Sequence, residues 1–170
     1  WAVVRHVTRD CMQGDLRFLD LLAQMGCTVS DTPDGIEVRG AAGGRLKGVT
    51  VDMKDFSDQA MTLAALAPFA DGAVRIGNIG HIRLQESDRI HAIVTELTRL
   101  GISCEEEQDA VTIYPGMPKP AVVQTYDDHR MAMAFALVGL RVDGIGIADP
   151  MCCRKTFEDY FDVLDRLTDQ

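Results

Sequence analysis

Charged residues that stand directly before apolar helices are the part of this sequence best suited to chemistry. The segment from Thr125 to Ala134 reads TYDDHRMAMA, so an acid, an imidazole and a guanidinium adjoin an apolar run. Charged groups at the start of a buried helix are costly unless they hold something. A helix start also offers free N–H groups and the positive end of the helix dipole. With Arg130 in its first turn, this segment predicts a binding site for a small, multiply anionic molecule.

Two further segments place acids at comparable junctions. Asp58 precedes a second small apolar helix, either as an N-cap or as a base that anchors a hydroxyl group. Glu86, in the segment QESDR, lies just before another helix start and is placed to donate or accept a proton. Arg89 in the same segment opposes the helix dipole, so it requires an anion, which is either Asp88 or a ligand.

A fourth segment supplies another cation. Lys155 precedes a helix expected at 157–167 with Thr156 as its cap, and it is either an ordinary surface lysine or part of the same site. His129 follows Asp128, the expected cap of its helix with Asp127 as the alternative, and is itself either a structural imidazole or part of the site. Neither Ser57 nor Ser87 has an evident His partner, so we do not expect a nucleophile–His–acid set.

These acids and cations stand at matching positions of an internal repeat, so we expect them to converge in space. Acids and cations together suit proton transfer on a phosphorylated or carboxylated substrate whose oxygens the cations clamp. The candidate residues are Asp58, Glu86, Arg89, His129, Arg130 and Lys155.

Composition excludes several classes of protein. Of the 170 residues, 46% are hydrophobic and 25% are charged, as in an ordinary globular protein, and no apolar run approaches the length that crosses a membrane. The net charge of −9 opposes general nucleic-acid binding. The five cysteines are an odd number without zinc-type spacing, which indicates a reduced, cytoplasmic protein. The adjacent pair Cys152 and Cys153 reflects either ordinary packing or redox or metal chemistry.

The sequence contains an internal repeat. The helices that follow Asp58 and Asp128 are copies of one pattern, about 70 residues apart, in which an acid, a small apolar helix and a short β-like run follow one another. A second element also recurs, because the helices expected at 16–25 and 89–100 both end at a glycine and precede a hairpin. Together these elements predict a unit of strand, helix, strand, helix, strand, strand.

The repeat predicts the fold. One complete unit is expected over about 48–115, between a copy at 1–47 that lacks its start and a copy at 116–170 that lacks its end. The helices after Asp58 and Asp128 are apolar on nearly every side, so we expect them to be buried, with the sheets outside. The sequence thus predicts one α/β lobe of βαβαββ units, arranged as an inside-out α/β barrel and truncated at its N-terminal edge.

Five motifs resemble the enolpyruvyl transferase family, and in particular its branch that acts on shikimate 3-phosphate. The related branch that acts on a UDP-amino sugar shares the fold but lacks the last three motifs. In the family's order, the five motifs are Gln13-Gly14-Asp15, the helix start at Asp58, QESDRI (85–90), YDDHRMAMA (126–134) and KTFEDYF (155–161).

The resemblance implies transfer of the enolpyruvyl group of phosphoenolpyruvate to the 5-hydroxyl of shikimate 3-phosphate, by addition and then elimination of phosphate, without a metal or an organic cofactor. By position, Asp58 would hold and deprotonate the shikimate hydroxyl, and Glu86 would shuttle a proton at the phosphoenolpyruvate methylene. The clamp on the phosphate and carboxylate of phosphoenolpyruvate would consist of Arg89, Arg130 and Lys155, supported by His129.

Two positions depart from the pattern that many family members share. Gln85 stands where Lys is common before the motif glutamate, and His81 stands where Asn is frequent. We expect both side chains to keep their contacts to shikimate 3-phosphate, with one charge fewer.

The chain corresponds to most of one of the family's two lobes. Its expected partners are therefore phosphoenolpyruvate, shikimate 3-phosphate and the N-terminal lobe of the same enzyme, and not nucleic acid or a membrane. We expect the isolated lobe to be inactive and to self-associate through an exposed apolar edge. Two alternatives stay open: a non-catalytic binding or interaction domain with the same fold, which Gln85 favours, and a thiol-dependent metal or redox protein, which rests on Cys152 and Cys153.

Overall fold

Three sheets follow one another along the chain in the computed structural model, which describes residues 1–168. The first has the antiparallel order β1-β3-β2. The second has the order β4-β5-β7-β6, with β4 parallel to β5, and the third is the parallel pair β8-β9. The strands are β1 (Ala2–Arg5), β2 (Thr28–Thr32), β3 (Gly35–Arg39), β4 (Thr50–Asp52), β5 (Val74–Gly77), β6 (Cys104–Glu106), β7 (Val111–Ile113), β8 (Ala121–Val123) and β9 (Ile145–Ile147).

Helices connect these strands, and short 3₁₀ segments precede or extend several of them. The longest helix among the described residues has 11 residues, and none there is long and apolar enough to cross a membrane. The α-helices are α1 (Arg17–Gln24), α2 (Ala60–Leu66), α3 (Arg89–Arg99), α4 (His129–Ala136) and α5 (Tyr160–Thr168). The 3₁₀ segments are Gly14–Leu16, Lys54–Gln59, Ala67–Phe69, Gly80–Leu84, Leu137–Leu140 and Pro150–Lys155.

The middle of the chain forms the predicted unit in full, in the order β4, α2, β5, α3, β6, β7. The first sheet repeats the pairing of β5, β7 and β6, and the third sheet repeats the parallel pairing of β4 and β5. The predicted α/β fold of repeated βαβαββ units, with helices inside and sheets outside, is confirmed.

The interior is built on α2 and α4, which pack against each other. Both helices consist largely of Ala, Met and other apolar residues, and most of their side chains are buried. The small alanines allow the two helices to approach closely. The inner face of α3 adds Ile90, Ile93 and Leu97, which are fully buried at helical spacing. Each fully buried side chain of this size contributes about 1.5–3 kcal/mol.

The helix ends agree with the sequence in two places and differ in a third. Gly26 and Gly101 follow α1 and α3 with φ of +99° and +79°, so they are the predicted C′ glycines. The last helix was expected at 157–167 with Thr156 as its cap, but it begins at Tyr160. Thr156 instead ends a 3₁₀ segment, because its N–H bonds the carbonyl of Cys153.

Candidate functional site

Asp58 lies near the end of the 3₁₀ segment that leads into α2. The N-cap position of α2 is Gln59, and no side chain caps that helix, so the interpretation of Asp58 as a cap is wrong. The Asp58 carboxylate accepts hydrogen bonds from Arg130 Nη2 at 2.9 Å and from Arg89 Nη1 at 3.2 Å. The acid therefore stands between two guanidinium groups.

Asp128 is the predicted N-cap of α4, and it also has a second role that the sequence did not show. Its Oδ1 accepts from the backbone N–H of Arg130 at 3.0 Å. The same carboxylate is fully buried against Arg89, whose Nε and Nη2 donate at 2.8 and 3.2 Å. Burial alone raises the pKa of Asp128, but the hydrogen bonds and charge of Arg89 outweigh it, so this pKa lies below its ordinary value.

Glu86 joins an imidazole and an ammonium group from different parts of the chain. Its Oε2 lies 2.9 Å from Nδ1 of His129, at the start of α4. Its Oε1 lies 3.1 Å from Nζ of Lys155, which comes from the 3₁₀ segment before α5. The hydrogen bond to Glu86 raises the pKa of Lys155. The structure thus places Lys155 and His129 in the same network as the acid.

Arg89 is buried behind Asp58, with only 4% of its side chain exposed. Its Nη1 donates to Asp58 and also to Gln85 Oε1. The sequence required an anion here, either Asp88 or a ligand. The structure supplies Asp128 and Asp58 instead, while Asp88 caps α3. Arg89 is therefore already neutralised within the protein.

Ser57 and His81 form a pair that sequence reasoning missed. The nearly buried Ser57 Oγ lies 2.8 Å from His81 Nε2. The expectation that Ser57 lacks a His partner is therefore wrong. The two residues are 24 positions apart, and only the packing of their two 3₁₀ segments brings them together. His81 and Gln85 are the two residues that depart from the family pattern. Each contacts a neighbour of Asp58, because His81 bonds Ser57 and Gln85 bonds Arg89.

The network is balanced in charge. Each carboxylate in it has at least one cationic partner within hydrogen-bonding distance, so an anionic ligand competes with an internal acid for each cation. The carboxylates are Asp58, Glu86 and Asp128, and the permanent cations are Arg89, Arg130 and Lys155.

Two open cavities meet at Asp58. One, of about 200 Å³, extends from Arg130 and His129 towards Tyr160. The other, of about 280 Å³, extends from Ser57 and Gln85 towards Gly14 and Asp15. Because Asp58 lines both cavities, it stands where the two spaces meet.

Three side chains here have ligand atoms of the kind that bind metals. Glu86, Asp128 and His129 place one such atom each within 4.8 Å of one another. Both Asp128 oxygens accept hydrogen bonds from Arg89, and both Glu86 oxygens have a partner in His129 or Lys155. The carboxylate oxygens are therefore already engaged by Arg89, Lys155 and His129.

The adjacent cysteines pack in the interior. Cys152 and Cys153 are buried in an apolar cluster with Ala132, and Phe161 packs against it. Burial raises the pKa of both thiols, that of Cys153 to about 12. Because the reactive form is the thiolate, this environment opposes thiol chemistry at the pair and favours the packing interpretation.

Known proteins match nearly all of this chain. The family model described as EPSP synthase (3-phosphoshikimate 1-carboxyvinyltransferase) matches residues 2–164. A 3-phosphoshikimate 1-carboxyvinyltransferase from Nostoc punctiforme is 52% identical over 158 residues, which cover 93% of this chain and 37% of the relative. A chloroplastic relative from Brassica napus is 47% identical over 163 residues, covering 92% of this chain and 32% of its own length. The chain thus spans about a third of the length of these relatives.

Solved structures show the same fold. An EPSP synthase from Acinetobacter baumannii superposes with a TM-score of 0.76 at 26% identity, covering 87% of this chain and 38% of that one. The enolpyruvyl transferase NikO from Streptomyces tendae superposes with a TM-score of 0.71 at 23% identity, covering 89% of this chain and 35% of that one. The second likeness concerns the fold alone.

Proposed function

Because this chain belongs to the EPSP synthase family, we propose that it forms part of one lobe of a 3-phosphoshikimate 1-carboxyvinyltransferase. The proposed reaction joins the enolpyruvyl group of phosphoenolpyruvate to the 5-hydroxyl of shikimate 3-phosphate and releases phosphate, a step towards aromatic amino acids. One observation carries the proposal. Asp58 lies between two cavities and forms ion pairs with Arg89 and Arg130. Arg130 belongs to the start of α4, where His129 contacts Glu86.

In the addition step, the Asp58 carboxylate takes the proton of the 5-hydroxyl, and the hydroxyl oxygen attacks C2 of phosphoenolpyruvate. Glu86 takes up a proton when the anionic substrates bind and delivers it to the methylene carbon, with Lys155 and His129 holding the acid in place. The product of this step is a tetrahedral intermediate that carries both the phosphate and the shikimate oxygen on C2.

In the elimination step, the C2–O bond to phosphate breaks and the bonding electrons leave with the phosphate. Glu86 takes a proton back from the methyl carbon, which restores the double bond. The phosphate leaves protonated, since it can accept the proton that Asp58 took in the first step. Arg89, Arg130 and Lys155 stabilise the negative charge of the phosphate and carboxylate throughout.

Anion binding is proposed to activate the acid. Both oxygens of the Asp58 carboxylate are engaged by guanidinium groups, Oδ2 by Arg130 and Oδ1 by Arg89. When phosphoenolpyruvate takes Arg130 and the outer donor of Arg89, Asp58 is released and its carboxylate becomes available to the hydroxyl.

Shikimate 3-phosphate is proposed to occupy the cavity on the Ser57 side. Gln85 lines this cavity directly, and His81 reaches it through its contact with Ser57. Both are proposed to contact the substrate there, Gln85 without the positive charge of a lysine. Phosphoenolpyruvate then occupies the cavity beside Arg130 and His129.

The repeat units are proposed to divide the chain at about 1–47, 48–115 and 116–170, since each range holds one of the three sheets. These units form one partial lobe, and the partner of the site is the other lobe of the same enzyme, which supplies further substrate contacts. Because those contacts lie on the other lobe, we expect the isolated chain to be inactive. The free state of all five cysteines supports a reducing, cytoplasmic location.

The isolated chain is also proposed to self-associate. Within residues 1–168, β9 pairs only with β8, whereas the equivalent strand β5 is covered by β7. A strand edge of this kind presents unpaired N–H and C=O groups to a second copy. An apolar cleft of about 490 Å³, lined by Ile145, Ile147 and Phe161 among others, lies beside it. Light scattering that gives a strictly monomeric mass at high concentration would contradict this.

A chimaera tests the function. The matched segment of the Nostoc punctiforme relative is replaced by this chain, and phosphate release is measured with both substrates present. We expect turnover that needs both substrates and is lost in Asp58→Asn, while the isolated chain shows none. A folded chimaera without turnover would overturn the catalytic proposal in favour of a non-catalytic domain. Turnover by the isolated chain would contradict the proposal that this chain carries only part of the active site.

A further inference from the structure

Glu96 is a fully buried acid that the proposed reaction does not use. It lies on the inner side of α3, and an ionised carboxylate in such a place is costly unless donors surround it. Its Oε1 accepts from the hydroxyl of Tyr126 at 2.7 Å, and its Oε2 accepts from the backbone N–H of Gln124 at 2.9 Å. Arg99 completes the set, with its Nε at 2.9 Å. Two of these three partners belong to the segment that leads into α4.

That segment contains a strained turn. Tyr126 and Asp127 are consecutive residues with φ of +56° and +55°, in the left-handed region. Neither is glycine, and each such residue costs of order 1–3 kcal/mol unless its surroundings hold it. The turn is closed by the hydrogen bond from the N–H of Asp128 to the carbonyl of Thr125 at 2.9 Å. Two positive φ angles in the centre of a turn are the pattern that Gly and Asn favour.

The turn sets the direction of the next three side chains. Asp128 binds Arg89, while His129 and Arg130 bind Glu86 and Asp58. These three neighbouring residues reach three different partners, so a change in the turn moves all of them together. Misplacement by about 1 Å at such a site is enough to lower a rate by two orders of magnitude.

We propose that Glu96 is a positioning residue, which holds the left-handed turn at Tyr126 and Asp127 from inside the protein and thereby sets His129 and Arg130 at the mouth of α4. Glu96 bonds both the backbone before the turn and the side chain of its first strained residue. The part of the proposal that concerns phosphoenolpyruvate rests on the proposed function, whereas the part that concerns the turn does not.

Arg99 and Tyr126 keep the arrangement constant. Arg99 supplies the positive charge that balances the buried Glu96 carboxylate, while 42% of the Arg99 side chain is exposed to solvent. Burial and the hydrogen bond to Glu96 raise the pKa of Tyr126 to about 12, so its hydroxyl stays a donor at neutral pH. No proton needs to move for the turn to be held.

The test compares two substitutions on α3 in the full 170-residue chain. Glu96→Gln keeps the size of the side chain but presents an amide N–H₂ to donors that need an acceptor. The matched control is Leu97→Ala, which removes buried apolar contacts next along the helix without a polar partner. The measurement is the ¹⁵N resonance of His129 Nδ1, read without ligand and under conditions in which both variants are folded.

We expect the His129 Nδ1 resonance to shift in Glu96→Gln, because its bond to Glu86 changes, and to stay in place in Leu97→Ala. Adding Asp127→Gly to Glu96→Gln should restore it, since glycine adopts positive φ without strain. Tyr126→Phe, which removes one hydroxyl, should shift the same resonance in the same direction by a smaller amount. This variant replaces Glu96→Gln in the test if Glu96→Gln does not fold.

Unchanged His129 resonances in both Glu96→Gln and Tyr126→Phe would overturn the proposal, as would equal shifts in Leu97→Ala. The affinity for phosphoenolpyruvate is read separately, and we expect a loss of about tenfold in Glu96→Gln. If the chain proves not to bind phosphoenolpyruvate at all, the proposed function fails while the resonance of His129 still decides the role of Glu96.

Discussion

Asp58 and Arg130 form a 2.9 Å ion pair across 72 residues of sequence. The two cavities meet at this pair, because Asp58 lines both of them. Arg89 reaches the same carboxylate from the buried side. In the proposed reaction, an anion that takes Arg130 competes with Asp58 and frees its carboxylate. Binding of the anion and release of the proposed base are then one event.

This competition predicts that Asp58→Asn strengthens anion binding to the isolated chain. The substitution removes the internal carboxylate that neutralises Arg130, so inorganic phosphate or phosphoenolpyruvate should bind about threefold more tightly, the size of one partly exposed ion pair. Titration calorimetry measures the affinity. The control is Asp15→Asn, an equal change of charge in the other cavity, which should have a smaller effect. Weaker binding to Asp58→Asn would show that the acid does not compete for Arg130.

The buried pair of Arg89 and Asp128 predicts a large effect on stability. Asp128→Asn leaves the Arg89 guanidinium buried without its bidentate partner, so the free energy of unfolding should fall by about 3–5 kcal/mol. Urea denaturation measures it. The same kind of change at the exposed Glu107, which pairs with Arg75 at the surface, should cost about 1 kcal/mol or less. Equal costs would mean that Arg89 finds another partner.

The effect of Asp128→Asn should also depend on pH. The pKa of Asp128 is lower in the folded chain than its ordinary value. A lowered pKa contributes stability above the ordinary pKa, and this is lost as the pH falls through the folded value. The gap in unfolding free energy between the two proteins should therefore be full near pH 7 and shrink below about pH 4. A gap that stays constant down to pH 2 would contradict this.

Gln85 should be needed as an acceptor. Gln85→Lys cannot accept the hydrogen bond of Arg89 and adds a second cation beside it, so the chain should lose about 1 kcal/mol of stability. Its affinity for shikimate 3-phosphate should rise, because the new charge lies at the rim of the Ser57-side cavity. The matched control is Gln108→Lys on the exposed hairpin, which should stay within about 0.5 kcal/mol of the unmodified chain.

Local sequence patterns were enough for the architecture. The apolar helices after Asp58 and Asp128 and the glycines that end α1 and α3 predicted a repeated unit with buried helices, because periodicity and capping are properties of a few neighbouring residues. The same reasoning gave Asp128 as the cap of α4, with Asp127 as the alternative, and the cap in the structure is Asp128. These features need no knowledge of how distant segments pack.

Contacts between distant segments were not predictable in this way. Asp58 was predicted to be either a helix cap or a base, and Arg89 was expected to bind Asp88 or a ligand. Both predictions considered only near neighbours, because a local sequence pattern shows no others. The pair of Ser57 and His81 and the role of Glu96 were missed for the same reason. Each depends on the packing of one segment against another that is 24 or more residues away.

A titration of the ¹⁵N-labelled chain with phosphoenolpyruvate, followed by NMR, tests whether this network binds the substrate anion. Because internal acids balance the cations, binding should be weak, with a dissociation constant of about 1 mM or higher. We predict shifts that concentrate at His129, Arg130 and Asp58, spread to Lys155, and disappear in Arg130→Ala. Shifts that centre on another surface, or that persist in Arg130→Ala, would contradict the assignment of this network as the anion-binding half of the site.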